Sequence, residues 1–119
     1  MRILIADDAP VARAILARLA VEAGFEVVAE AVDEASALER YAAIRPDLTI
    51  VDGRLPPAGG VVAIERLREL DPAARIVVSA ALNELELLRA ATAAGAASGL
   101  QRPFIPAQVA ALLRFARTE

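Results

Sequence analysis

Short apolar runs, each followed by a helical pattern, limit this chain to very few architectures. The runs are ILIA (3–6), VVA (27–29), LTIV (48–51) and IVV (76–78), with ASGL (97–100) as a weaker fifth. They are continuous rather than alternating, which suits strands of a parallel sheet buried on both faces. Between them apolar residues return at helical spacing. Pro10 suits a first turn, and Val11, Ile15, Leu16 and Leu19 follow until Gly24 stops the run. Asp33 is placed to cap a helix running through Ala43. Val61, Ile64, Leu67 and Leu70 mark a third helix, closed by Asp71-Pro72. Asn83 with Glu86 reads as a capping box, and Gly95 as a C-terminal stop. Val109, Leu112, Leu113 and Ala116 form the last apolar stripe, after Pro106.

Five strand-then-helix repeats with right-handed crossovers predict an α/β fold, a single doubly wound five-stranded parallel sheet with helices on both faces. No linker or low-complexity segment divides the chain, so one domain is expected over residues 1–119. With 57% hydrophobic residues and only 3% aromatics, its core must be built from Ala, Val, Leu and Ile.

The composition removes whole classes of chemistry. There is no cysteine and no histidine, so disulfides, thiolate or imidazole metal sites and histidine-assisted acid–base work are excluded. All 13 basic residues are arginine. A net charge of −3 speaks against direct nucleic-acid binding. No apolar run approaches the roughly 20 residues that span a bilayer, and acids from position 7 onward break any signal-peptide core. A cytoplasmic domain without membrane attachment is therefore expected.

Ligands of open parallel sheets bind beyond the carboxyl ends of the strands. Asp7 and Asp8 follow the first strand, Asp52 ends the third, Ser79 follows the fourth, and Arg102 stands before Pro103-Phe104 after the fifth. Singly, each has a plain structural reading: a solvated loop acid, a turn cap, a structural hydroxyl, a surface charge. Jointly they place three carboxylates in one crevice. At about 4 Å and an effective dielectric near 20, each carboxylate pair costs roughly 4 kcal/mol. Oxygen donors alone fit a hard divalent cation, Mg²⁺ before Ca²⁺.

At these positions the chain resembles a response-regulator receiver domain of two-component signalling, similar to the chemotaxis regulators. The resemblance rests on the acid pair, the Asp, the Ser, the basic residue before Pro-Phe, and the segments DGRLPPAGG and GAASGLQRPF. It implies a flavodoxin-like (βα)5 fold with strand order 2-1-3-4-5. It also implies that Asp52 is the phosphoacceptor, and that Asp8, Asp52 and the backbone carbonyl of Arg54 bind Mg²⁺, with Asp7 acting through a water. Ser79 and Arg102 would contact the phosphoryl group. The partners implied are a histidine kinase or phosphotransfer protein as donor, and a downstream protein or a second copy docking on the fourth helix, fifth strand and fifth helix. The only catalysis implied is the domain's own aspartyl phosphorylation and dephosphorylation. No output domain is expected within these residues, which suits a stand-alone regulator or one receiver of a longer protein.

Three positions depart from the family pattern. Arg102 replaces the usual lysine, Gly99 the usual aromatic, and Gly53 the commoner apolar residue. Arginine and lysine differ in reach and shape, so the first exchange is not conservative at a tight site. A cis bond is expected at Arg102-Pro103. Two other functions stay open: a degenerate receiver that binds partners without phosphorylation, and a phosphatase of the haloacid-dehalogenase kind. The latter class places one residue between its two acids, whereas Asp7 and Asp8 are adjacent.

Overall fold

A computed structural model describes residues 1–118, with side chains described through Phe115. Ten elements alternate: β1 (Arg2–Ala6), α1 (Pro10–Glu22), β2 (Glu26–Ala31), α2 (Glu34–Ile44), β3 (Leu48–Asp52), α3 (Gly60–Leu70), β4 (Ile76–Ala81), α4 (Leu85–Ala94), β5 (Ser98–Arg102) and α5 (Pro106–Thr118). All strand pairs are parallel, in the order β2-β1-β3-β4-β5.

The unbroken apolar runs have a simple physical origin. Along β1, Ile3 and Ile5 face a core shared with Leu16, Ala20, Val109 and Leu113. Leu4 and Ala6 face the opposite core, with Tyr41, Ile64, Leu67 and Ala91. Side chains still alternate with period two, but both faces are covered, so Ile3 to Ala6 are all apolar. Burial on the two faces is the largest favourable contribution to this fold.

Three sequence expectations are corrected here. The run VVA lies in an edge strand, and its residues are only half-buried; Glu26 and Glu30 stand beside it, as suits an edge open to other chains. In α1 the core-facing residues are Leu16 and Ala20, while Val11 is 73% and Ile15 47% exposed. With alanines along the helix, two neighbouring stripes fit the same periodicity. Finally, Asn83 and Glu86 form no capping box. The residue before α4 is Glu84, whose carboxylate accepts the Ala81 amide at 2.7 Å, while Glu86 pairs with Arg89.

Other expectations hold. Asp33 caps α2 through a capping box, with Ser36 as the reciprocating residue. Gly24 and Gly95 take positive φ values of 92° and 120° at the ends of α1 and α4. The Arg102-Pro103 bond is cis, as is Pro56-Pro57. Val109 and Leu113 are buried beneath α5; the Ala116 side chain lies outside the described residues. No helix among the described residues is long and apolar enough to cross a membrane.

Candidate functional site

The register of the sheet assembles the site. Asp52 and Ser79 are direct neighbours across β3 and β4, and Arg102 neighbours Ala81 across β4 and β5. Asp7 follows β1, the strand beside β3, and its amide donates to Ala31 of β2 at 2.9 Å. Asp7, Asp52 and Ser79 are buried, whereas Asp8 is exposed.

The three acids predicted to meet do meet. Asp7, Asp8 and Asp52 each offer one carboxylate oxygen, and these oxygens lie within 4.8 Å of one another. One oxygen of Asp7 accepts the Ala9 amide at 2.9 Å; the other is buried and has no hydrogen-bond donor among the described residues. Burial pushes the Asp7 carboxyl above its ordinary range; the Ala9 amide pulls the other way, and the Asp52 charge adds to the rise. A buried carboxylate oxygen without a donor, beside two further carboxylates, fits a small cation bound by oxygen ligands.

Arg102 enters from the other side. Its Nη1 donates to Asp52 Oδ1 at 2.9 Å and lies 3.4 Å from Ser79 Oγ. Residues 53–60 are held close beneath. The Gly53 amide donates to the Ser79 carbonyl at 2.8 Å, the Leu55 amide to the Asp52 carbonyl at 3.0 Å, and the Gly60 amide to the Gly53 carbonyl at 2.9 Å. A β-carbon on Gly60 would collide with the Asp52 carbonyl, so only glycine lets α3 start this close to Asp52. Arg54, whose carbonyl the resemblance made a metal ligand, sits in the turn just after Asp52, and its side chain pairs with Glu84.

Glu84 is the residue that sequence reasoning missed. It carries an ion pair to Arg54 and approaches Arg102 Nη2 at 3.9 Å. The Ala81 amide, and then Arg54, hold its carboxyl below the usual range. Arg13 was also missed: it donates to the Asp7 carbonyl at 2.7 Å and pairs with Glu30 at 2.9 Å, bracing the loop that carries the acids. No local motif distinguishes either residue.

The comparisons agree with this geometry. The model of the response regulator receiver domain family matches residues 3–114. The chain belongs to the response-regulator receiver family. It is 35% identical over 108 residues to the chemotaxis protein CheY of Thermotoga maritima, covering 91% of this chain and 90% of that one. It is 38% identical over 103 residues to CheY of Bacillus subtilis, covering 87% and 86%. A two-component response regulator of the LuxR family from Aurantimonas superposes with a TM-score of 0.87 at 33% identity, over 99% of this chain and 86% of that one. This receiver domain thus shares the flavodoxin-like sheet and acidic pocket at which its family binds Mg²⁺.

The two glycine departures both face α4. A β-carbon on Gly53 would strike Leu87, and one on Gly99 would lie 2.7 Å from Leu88 Cδ2. Consecutive leucines of α4 fill both spaces. Leu88 therefore occupies the room that a side chain at position 99 would need.

Proposed function

We propose that residues 1–119 act as one phosphoacceptor receiver, in which Asp52 takes a phosphoryl group from a histidine kinase, a phosphotransfer protein or a small phosphodonor. The observation that carries this reading is the meeting of three carboxylates at the strand ends, one of them with a buried oxygen that lacks a donor. Asp8, Asp52 and the Arg54 carbonyl would hold Mg²⁺ directly and Asp7 through a water; bound there, the ion neutralises oxygen charge on the transferring group.

A carboxylate oxygen of Asp52 attacks phosphorus in line and forms the new O–P bond. The P–N bond of a phosphohistidine, or the P–O bond of a small acyl phosphate, breaks, and its electron pair leaves with the donor. Arg102, 2.9 Å from Asp52, transfers its hydrogen bond to a phosphoryl oxygen. The Ser79 hydroxyl donates to another, drawing the loop after β4 inward. Ala80 and Ala81 leave the adduct open to water, so it is short-lived. The only catalysis is the domain's own phosphorylation and dephosphorylation of Asp52.

Output passes to a downstream protein, or to a second copy, through the face formed by α4, β5 and α5. A depression of about 530 Å³ there is lined by Leu88, Gly99, Leu100, Leu112 and Phe115, among others. The domain works in the cytoplasm, without direct contact to nucleic acid or membrane.

Incubation with acetyl phosphate and Mg²⁺ tests the reading by intact mass. One labile phosphoryl adduct is expected in the native chain and none in Asp52→Asn. An unchanged mass in the native chain would overturn it. The second reading, a phosphorylation-independent binding module, is favoured by the Leu88-filled space at Gly99; it requires Asp52→Asn to bind the downstream partner as well as the native chain.

A further inference from the structure

The second nitrogen of Arg102 faces another acid. While Nη1 donates to Asp52, Nη2 points towards Glu84 at 3.9 Å. The Glu84 side chain is only 10% exposed, and it also ties the Ala81 amide and the Arg54 side chain. An acid before a helix is often a simple partner of the helix dipole. Glu84 differs, because its oxygens hold a turn amide behind it and the Arg54 side chain, with Arg102 Nη2 approaching within ion-pair range, and it makes no side-chain hydrogen bond into α4.

We propose that Glu84 is a positioning residue for Arg102, fixing one arm of the guanidinium so that the other is aimed at Asp52 and at whatever group Asp52 carries. The proposal rests on Asp52 being the acceptor. It also gives the Arg102 departure a physical reason. A guanidinium is a rigid fork that can touch two acids at once, whereas an ammonium is a point charge on a flexible stem. With Glu84 poised at the start of α4, arginine links the acceptor to that helix in one side chain. A depression of about 530 Å³ lies beside it, lined by Arg54, Ala81, Glu84 and Arg102 among others.

The test combines Glu84→Gln, Arg102→Lys and the double variant, each first checked for native thermal unfolding. Initial rates of adduct formation are measured with acetyl phosphate and Mg²⁺. Glu84→Gln should slow the rate about fivefold in the native background and less than about twofold in the Arg102→Lys background. Equal effects in both backgrounds would make Glu84 merely structural and overturn the proposal. A second readout needs no phosphorylation: the guanidinium ¹⁵N–¹H signals of Arg102 in the unmodified protein, identified by their loss in Arg102→Lys. They should exchange faster with solvent in Glu84→Gln; unchanged signals would also overturn it. If the native chain takes no phosphoryl group at all, the acceptor reading fails, and these signals still decide whether Glu84 holds Arg102.

Discussion

At the amino-terminal edge of the sheet, Asp71 accepts the Tyr41 hydroxyl at 2.7 Å and lies 3.2 Å from Arg45, while Asp47 accepts the Arg2 amide at 2.7 Å. At the carboxyl edge, Asp7, Asp8 and Asp52 share a pocket, and the basic group bonded to Asp52 is Arg102. Both edges have comparable charged groups and buried surface nearby. The difference lies in satisfaction. The Tyr41 hydroxyl, and then the Ala73 amide, hold the Asp71 carboxyl below its usual range, while burial pushes Asp7 up. At the first edge Asp71 and Asp47 have their donors as folded; at the second, one buried Asp7 oxygen has none among the described residues. That contrast separates a structural charge cluster from a working site without appeal to motifs.

The largest expected effect would confirm or break this contrast directly. Mg²⁺ at one hundred times its Kd should stabilise the domain by about 2.7 kcal/mol, because binding to the folded state alone contributes RT ln(1 + [L]/Kd). Thermal unfolding with and without Mg²⁺ measures it. The shift should vanish in Asp52→Asn and survive in Asp71→Asn. A shift of equal size in both variants would mean that the ion acts without the strand-end acids.

Next in size is the loss of the Tyr41 hydroxyl. Tyr41→Phe keeps the ring among its neighbours and removes one hydrogen bond to a charged acceptor, so about 1.5 kcal/mol should be lost in urea unfolding at pH 8. The pH dependence sharpens this. Burial, and then the hydrogen bond to Asp71, push the Tyr41 hydroxyl up to about 12 from an ordinary 10.0. The unfolded chain therefore ionises first, and stability should fall as pH rises from 10 towards 12. With one tyrosine, no lysine and no cysteine, no other side-chain type titrates in that window except arginine, which stays charged. Asp71 has the opposite sign: its lowered value contributes stability above the ordinary carboxylate range, lost as pH falls through it. Tyr41→Phe should abolish the alkaline limb and weaken the acid one.

The same contrast governs what could be read from the sequence. The strands were legible because burial on both faces leaves an unbroken apolar run, and the site acids because strand ends in this topology converge. VVA misled because an edge strand can be as apolar as a central one over three residues while being covered less. Glu84 was invisible because its partners, Arg54 and Arg102, come from other elements and meet it only after folding. The glycines at 53 and 99 looked like losses; the leucines that fill their places belong to a helix distant in sequence from Gly53 and are matched to it only in three dimensions. Local pattern reports burial and chain ends, and pairing across elements is not local.

The smallest expected effect is also the one that changes sign. One Asp7 oxygen is buried without a donor, and two other carboxylates lie close by. Asp7→Asn keeps the shape and the oxygen that accepts the Ala9 amide, and removes a charge that Arg102 and the Ala9 amide offset less than burial and the neighbouring acids oppose it. Without Mg²⁺ the variant should be more stable by about 1 kcal/mol, within the range of single stabilising substitutions. With Mg²⁺ the order should reverse, because the ion then loses a ligand-side charge and binds less tightly. The base of the sheet offers the control: Asp71→Asn removes a charge that Tyr41 and Arg45 do offset, and should destabilise with or without the ion. If Asp7→Asn destabilises the metal-free domain as Asp71→Asn does, the two edges are electrostatically alike, and the carboxyl edge has no unmet charge for an ion to answer.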